Sequence, residues 1–137
     1  MAYCKALQKG HVYGGSTISG AGIPGQAVVM NANDEVIVNS DKTVVSFGIL
    51  LNNTDSQAID KAYVTGGYCA VAYDGGMYET DNFTLGGLQK GDYVSFDHTT
   101  GKFKEWATGD AICAQVLSVT SSVLKFKLLL APNHFNE

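Results

Sequence analysis

The segment from residue 123 to residue 130 constrains the fold most strongly. Its apolar side chains alternate with two lysines, Lys125 and Lys127, and the apolar positions are Leu124, Phe126, Leu128 and Leu130. A period of two predicts a β-strand with one buried face and one face in water. A chain that ends in such a strand needs partner strands to cover its buried face.

Partner strands are predicted directly before this segment, at residues 90–97, 102–104 and 111–117. The polar turns between them are short, so the last third forms an antiparallel unit that needs no helix. Sixteen glycines and only two prolines fit a turn-rich chain of this kind. We therefore predict an all-β fold, a small antiparallel β-barrel or sandwich, with at most one short helix at residues 55–61.

Further strands are predicted in the middle of the chain, at residues 26–31, 36–38, 43–52, 68–73 and 77–80. Asp74-Gly75-Gly76 separates the last two and predicts a tight hairpin, because glycine readily adopts positive φ. An internal repeat also appears when the chain is shifted by 66 positions, which places Val28 on Val94. One duplicated three-strand motif within a single barrel or sandwich would explain it, and chance similarity between short strands is the alternative.

Residues 1–24 differ from the rest in being rich in glycine and serine. Such a segment buries too little apolar surface to offset its ordering entropy. We predict an extended, flexible N-terminal arm at residues 1–24 and a single β-barrel-like domain at residues 25–137. The segment is either a disordered tail or an arm that orders on a partner, with candidate contact residues Tyr3, Leu7, Val12, Tyr13 and Ile18.

The charge of the chain argues against nucleic acid as a partner. Its formal net charge is −4, whereas nucleic-acid binding needs a basic stripe. Charged residues make up 16% of the chain, below the roughly 25% that is typical of soluble domains. Either part of the surface faces another protein, or the chain is a well-packed β-domain with few long charged side chains. No apolar run is long enough to span a membrane, and no signal peptide is recognised. Cys69 and Cys113 lie in apolar strands and are expected to be buried thiols, which fits a reducing cytoplasm.

Motifs for catalysis or cofactors are weak, and we predict no enzyme activity, no cofactor and no metal site. Residues 20–25 match G-x-G-x-x-G, but a strand follows them where nucleotide binding needs a helix. The three histidines stand alone, without zinc-ligand spacing. Asp74, Glu79 and Asp81 cluster around the predicted hairpin, where exposed carboxylates are common, so a glycosidase-type pair is the less favoured interpretation.

Three phrases in a fixed order resemble a known family. They are M-Y-E-T-D-N-F at residues 77–83, K-G-D-Y-V at residues 90–94, and T-G-K-F at residues 100–103 followed by A-Q-V-L at residues 114–117. Together with the final strand they resemble the small capsid decoration, or head-stabilisation, proteins of tailed bacteriophages. The resemblance covers about residues 25–131.

This resemblance implies a non-enzymatic structural protein of the virion. Such a protein would be made in the host cytoplasm, bind the major capsid protein on the capsid exterior as a homotrimer, and stabilise the head by bridging capsid subunits. A tail, neck or baseplate component is one alternative. Another is a carbohydrate-binding module displayed on the virion, with Tyr78, Phe83 or Trp106 stacking on sugar.

Overall fold

A computed structural model describes residues 3–52 and 63–131, and this part of the chain is all β. The predicted helical turn at residues 55–61 lies outside the described residues. Within them the strands are β1 (Cys4–Gln8), β2 (His11–Tyr13), β3 (Ala27–Met30), β4 (Val36–Val38), β5 (Gly48–Leu50), β6 (Val71–Asp74), β7 (Met77–Thr80), β8 (Tyr93–Phe96), β9 (Phe103–Glu105), β10 (Ile112–Val119) and β11 (Leu124–Ala131).

The strands form two antiparallel sheets. A six-stranded sheet has the order β1-β7-β11-β10-β8-β9, and a five-stranded sheet has the order β2-β6-β5-β3-β4. Neither sheet closes on itself, so the architecture is a β-sandwich and not a closed barrel. The predicted all-β class is confirmed.

The main core lies between the two sheets. The six-stranded sheet contributes large side chains, among them Phe96, Phe103 and Phe126, while the five-stranded sheet contributes Ala27 and Ile49. Each fully buried phenylalanine stabilises the fold by about 1.5–3 kcal/mol through removal of its surface from water. The alternation in β11 is confirmed, because its leucines and phenylalanine at even positions point into this core while both lysines are exposed.

A second core covers the opposite face of the five-stranded sheet. Val28, Leu50 and Val71 come from the sheet, and Ile18 and Tyr63 come from the loops that cross it. Ile18 is fully buried, and its backbone N–H donates to the carbonyl of Gly67 at 2.9 Å. The five-stranded sheet is therefore buried on both faces over much of its area.

The N-terminal segment differs from the flexible arm that we expected at residues 1–24. β1 pairs with β7 in the six-stranded sheet, and β2 pairs with β6 in the five-stranded sheet. Cys4 is fully buried in the main core. The segment is ordered because its backbone hydrogen bonds go to strands about 70 residues away, which composition alone does not reveal.

The Gly75-Gly76 turn lies where it was predicted, but it is not a hairpin. Both glycines adopt positive φ, yet β6 and β7 belong to different sheets and do not pair with each other. The link between β1 and β2, at Lys9 and Gly10, crosses between the sheets beside it. The two links lie in close contact, because a Cβ on Gly10 would stand 2.4 Å from the carbonyl oxygen of Gly75.

The internal repeat is confirmed and is longer than three strands. The order β2-β6-β5-β3-β4 in one sheet corresponds to β7-β11-β10-β8-β9 in the other. The shift of 66 converts the β3–β5 pair Val28–Gly48 into the observed β8–β10 pair Val94–Ala114. Five consecutive strands are thus followed by five strands with the same arrangement, and β1 is an addition to the second set.

The ends of the two sheets also correspond. A parallel bridge joins Ile18 to Val36 of β4, and another joins Phe83 to Phe103 of β9. Val36 and Phe103 thus occupy equivalent positions in the two sheets. A uniform shift of 66 would instead place Val36 one residue before Phe103. Both bridges cover an outer strand whose backbone would otherwise stand open for pairing.

One buried hydroxyl gives a stability prediction. Ser95 is fully buried, and its Oγ has no hydrogen-bond partner among the described residues. Since an unsatisfied buried polar group is destabilising, we expect Ser95→Ala to raise the free energy of unfolding in urea by about 1 kcal/mol.

Thr80 provides the contrast. Its Oγ1 donates to the Tyr3 carbonyl at 2.7 Å and accepts from the Asn82 N–H at 3.0 Å. Thr80→Val should therefore lower the free energy of unfolding by about 1–3 kcal/mol. Equal losses in the two variants would show that Ser95 has a partner in solution.

Candidate functional site

The five predicted contact residues do not lie together on one surface. Ile18 is fully buried in the second core, and Val12 packs against the main core. Tyr3 is half-buried and its hydroxyl donates to Glu79 at 2.8 Å; burial, and next this hydrogen bond, raise the pKa of its phenol. Only Leu7 and Tyr13 are exposed, and they belong to different sheets. A capsid contact by these two residues stays a prediction.

Tyr13 belongs instead to a row of rings on the outer face of the five-stranded sheet, of which Tyr13, Tyr73 and His11 are exposed and Phe47 is partly buried. Its ring meets Phe47 edge-on at a centroid distance of 5.9 Å, and Phe47 stacks on Tyr73 at 5.7 Å. His11 continues the row, 5.8 Å from Tyr73. Contacts of this kind stabilise the arrangement of the rings, so the row is preorganised for binding.

Strand alternation explains why these rings share one face. Ala72 points into the core between the sheets, so Val71 and Tyr73 on either side of it point outward. Tyr13 is paired with Val71 in the register of β2 and β6 and therefore lies on the same outward face. Phe47 packs against the second core, which also lies on that face.

A groove continues this surface beyond Tyr13. It has a volume of about 420 Å³, and its lining includes Tyr13, Tyr68, Met30 and residues 33–35. Tyr68 is 72% exposed, the largest exposed fraction among the large hydrophobic side chains described. We call the set His11, Tyr13, Phe47, Tyr68 and Tyr73 the aromatic face.

The wall of the groove at residues 31–35 is a tight turn between β3 and β4. The side-chain oxygen of Asn31 accepts the N–H of Asn33 at 2.9 Å and that of Glu35 at 3.0 Å. Asp34 takes a positive φ of 60°, which aspartate tolerates better than most residues. This turn places two carboxylates, those of Asp34 and Glu35, beside the rings.

The aromatic face therefore has an apolar centre and an acidic rim. Among the described residues, no lysine or arginine lines the groove. At the other end of the row, the exposed His11 contacts Asp74 with 3.4 Å between Nδ1 and Oδ2. Such a surface favours a neutral or basic partner over an acidic one.

The other residues considered for chemistry do not converge on a site. Tyr78 is fully buried against Phe126, so it offers no sugar-stacking surface, contrary to one of our alternatives. Asp74 faces His11 in one sheet, whereas Glu79 and Asp81 both bond to Tyr3 in the other. The glycine-rich residues 20–25 lead into β3 and not into a helix.

The three thiols are free and buried, as expected for Cys69 and Cys113. Burial raises the pKa of all three, and that of Cys113 to about 12. A thiol in this range is protonated at neutral pH and is a poor nucleophile. Among the described residues, no three His, Cys, Asp or Glu side chains lie close enough to hold a metal ion.

Sequence reasoning missed most of the aromatic face. Phe47 and Tyr73 come from segments far from Tyr13 in the sequence, and the three rings form a row only in the folded sheet. The available signal was the period of two in a β-strand, which places Tyr73 on the face opposite to Ala72.

No family model matches this chain, and no curated protein matches it. No helix of the described residues could span a membrane.

Proposed function

We propose that this chain is a non-enzymatic structural protein of a tailed-phage virion, which decorates the capsid exterior and binds the major capsid protein through the aromatic face. The observation that carries the proposal is the row of rings in which the exposed Tyr13 and Tyr73 both contact the partly buried Phe47. Contiguous exposed apolar patches of this kind mark interaction sites on soluble domains.

The composition of the aromatic face suits protein recognition. Tyrosine is enriched at the energetic centres of protein interfaces, where it combines a large apolar area with a polar group. Tyr13 shows both properties, since its ring contacts Phe47 while its hydroxyl bonds to Ser16 at 2.9 Å. The acidic rim at Asp34 and Glu35 would steer the face toward a basic or neutral patch of capsid protein.

The resemblance to decoration proteins supports the virion role, and the β-rich fold it implies agrees with the sandwich described above. Decoration proteins of that class commonly sit as trimers at three-fold or quasi-three-fold positions. We therefore propose a homotrimer on the capsid that bridges neighbouring capsid subunits and stabilises the head. Three linked contacts would strengthen binding through avidity even if each one is weak.

Binding to particles assembled without this chain tests the proposal. The double variant Tyr13→Ala/Tyr73→Ala removes two exposed rings and leaves Phe47 in the second core. We expect its affinity for particles to fall at least about 100-fold, since two interface residues of roughly 1.4 kcal/mol each give that factor. Sedimentation with particles and quantitation of bound protein would measure the change.

Leu85→Ala is the matched control, because Leu85 is 39% exposed, like Tyr73, but lies outside the aromatic face. It should bind as the unchanged protein does. Leu7→Ala tests the second exposed candidate of the N-terminal segment in the same assay. If the double variant is folded and binds particles with unchanged affinity, the aromatic face is not the docking surface.

A further inference from the structure

A second groove lies beside β8 and β9 at the edge of the six-stranded sheet. It has a volume of about 260 Å³ and is lined by Gly91, Asp92, Tyr93, Glu105 and Trp106. Val94 points into the core between the sheets, so its neighbour Tyr93 points outward. The ring of Tyr93 and the aromatic face are therefore on opposite sides of the sandwich, while Glu105 lines the groove from the edge strand β9, where it is paired with Val94.

Trp106 is held in place by two hydrogen bonds within the chain. Its indole N–H donates to the carbonyl of Asp110 at 2.7 Å, and its backbone N–H donates to the carbonyl of Tyr93 at 3.0 Å. The side chain is half-buried, so part of the ring is covered and the rest stays accessible. A ring that is already fixed loses little conformational entropy when a ligand binds. This lower entropic cost favours the binding of ligands that make few contacts.

Two carboxylates accompany the rings. Asp92 accepts the N–H of Gln89 through Oδ2 at 2.9 Å, which orients this carboxylate, and the residue Glu105 is exposed. No lysine or arginine of residues 3–52 and 63–131 lines this groove. The site therefore offers aromatic surface for C–H groups and acceptors for hydroxyl groups, while its charge disfavours anions.

We infer that this groove binds a single neutral pyranose unit of a glycan. The apolar face of a sugar ring packs on an aromatic ring, and its hydroxyls donate to carboxylates in charge-assisted hydrogen bonds. The volume is below the roughly 300–1,000 Å³ of pockets for larger ligands, which fits one sugar ring. The inference does not depend on capsid binding, although a protein docked by the aromatic face would present this groove outward.

The fluorescence of Trp106 provides a direct assay, because it is the only tryptophan in the chain. We would titrate the full chain with glucose, galactose, mannose and N-acetylglucosamine, and with glucuronate and choline as charged probes. At least one neutral sugar should give a saturable change in emission with a Kd of about 1 mM. The Glu105→Gln variant should weaken this binding about tenfold through loss of a charged acceptor.

Tyr13→Ala/Tyr73→Ala is the control, and its response to sugar should equal that of the unchanged protein. This control also separates the two proposals, because it is the variant expected to lose capsid binding. No emission change with any neutral sugar up to about 100 mM, far above the expected Kd, would overturn the inference. Saturable binding of choline or glucuronate alone, or unchanged sugar affinity in Glu105→Gln, would overturn it as well.

Discussion

Replacing Gly10 with alanine is expected to lower the free energy of unfolding by about 3 kcal/mol or more, at the upper end for overpacking. The added Cβ would lie 2.4 Å from the carbonyl oxygen of Gly75 and 2.5 Å from that of Asp74. These atoms are backbone, so no side chain can rotate away to make room. The two links between the sheets would have to separate, which would disturb the β1–β7 and β2–β6 pairs together.

Gly14→Ala is the matched control, since it makes the same chemical change four residues later. The nearest atom to its added Cβ would be the carbonyl oxygen of Cys69, at 3.9 Å. We expect a change of no more than about 1 kcal/mol, with a small gain possible through the unfolded state. Urea unfolding followed by circular dichroism measures both variants. Similar stabilities for the two would contradict the close contact between the links.

Asp110→Ala is the second substitution with a large expected effect, a loss of about 3 kcal/mol. Asp110 is 2% exposed, and its carboxylate lies 2.7 Å from Lys104 Nζ and 3.6 Å from Lys42 Nζ. Removing one member of a buried charge cluster typically costs about 3–5 kcal/mol, and the partial exposure of both lysines places the value at the low end. The cluster also joins the two halves of the repeat, because Lys42 precedes β5 and Lys104 lies in β9.

Asp41→Ala is the control for this prediction, because Asp41 is next to Lys42 in sequence but is exposed. Hydrogen bonds from the side chain and the backbone N–H of Thr43 lower the pKa of its carboxyl. These contacts are local and solvated, so the loss of stability should be much smaller than in Asp110→Ala. Thermal unfolding compares the two. Equal shifts in Tm would mean that the buried cluster contributes no more than a surface turn.

The strands could be predicted from the sequence where the signal is local. β4 and β7 have the predicted bounds, and the alternation of leucine and lysine in β11 identified its buried face. The repeat was also visible, because equivalent strands keep their apolar positions. These features depend on neighbours within a few residues, which a single sequence displays.

Pairing over long distances could not be predicted in the same way. The N-terminal segment was predicted to be flexible, because nothing near it in the sequence indicates a partner strand. Its partner is the strand that contains Thr80, which pairs with Cys4. Gly75 and Gly76 form the predicted turn with positive φ. The chain passes from one sheet to the other at this turn, however, so the two flanking strands do not pair with each other. The aromatic face is of the same kind, since Tyr13, Phe47 and Tyr73 become neighbours only after the sheet has formed.

The measurement that tests the central claim most directly is the copy number of this chain in purified virions of the phage whose genome encodes it. Quantitative mass spectrometry against the major capsid protein would give the ratio of the two proteins. We expect hundreds of copies at a fixed ratio to the capsid protein, as an ordered decoration requires. A few dozen copies or fewer would place the chain in the tail, neck or baseplate, and absence from the particle would contradict the virion role.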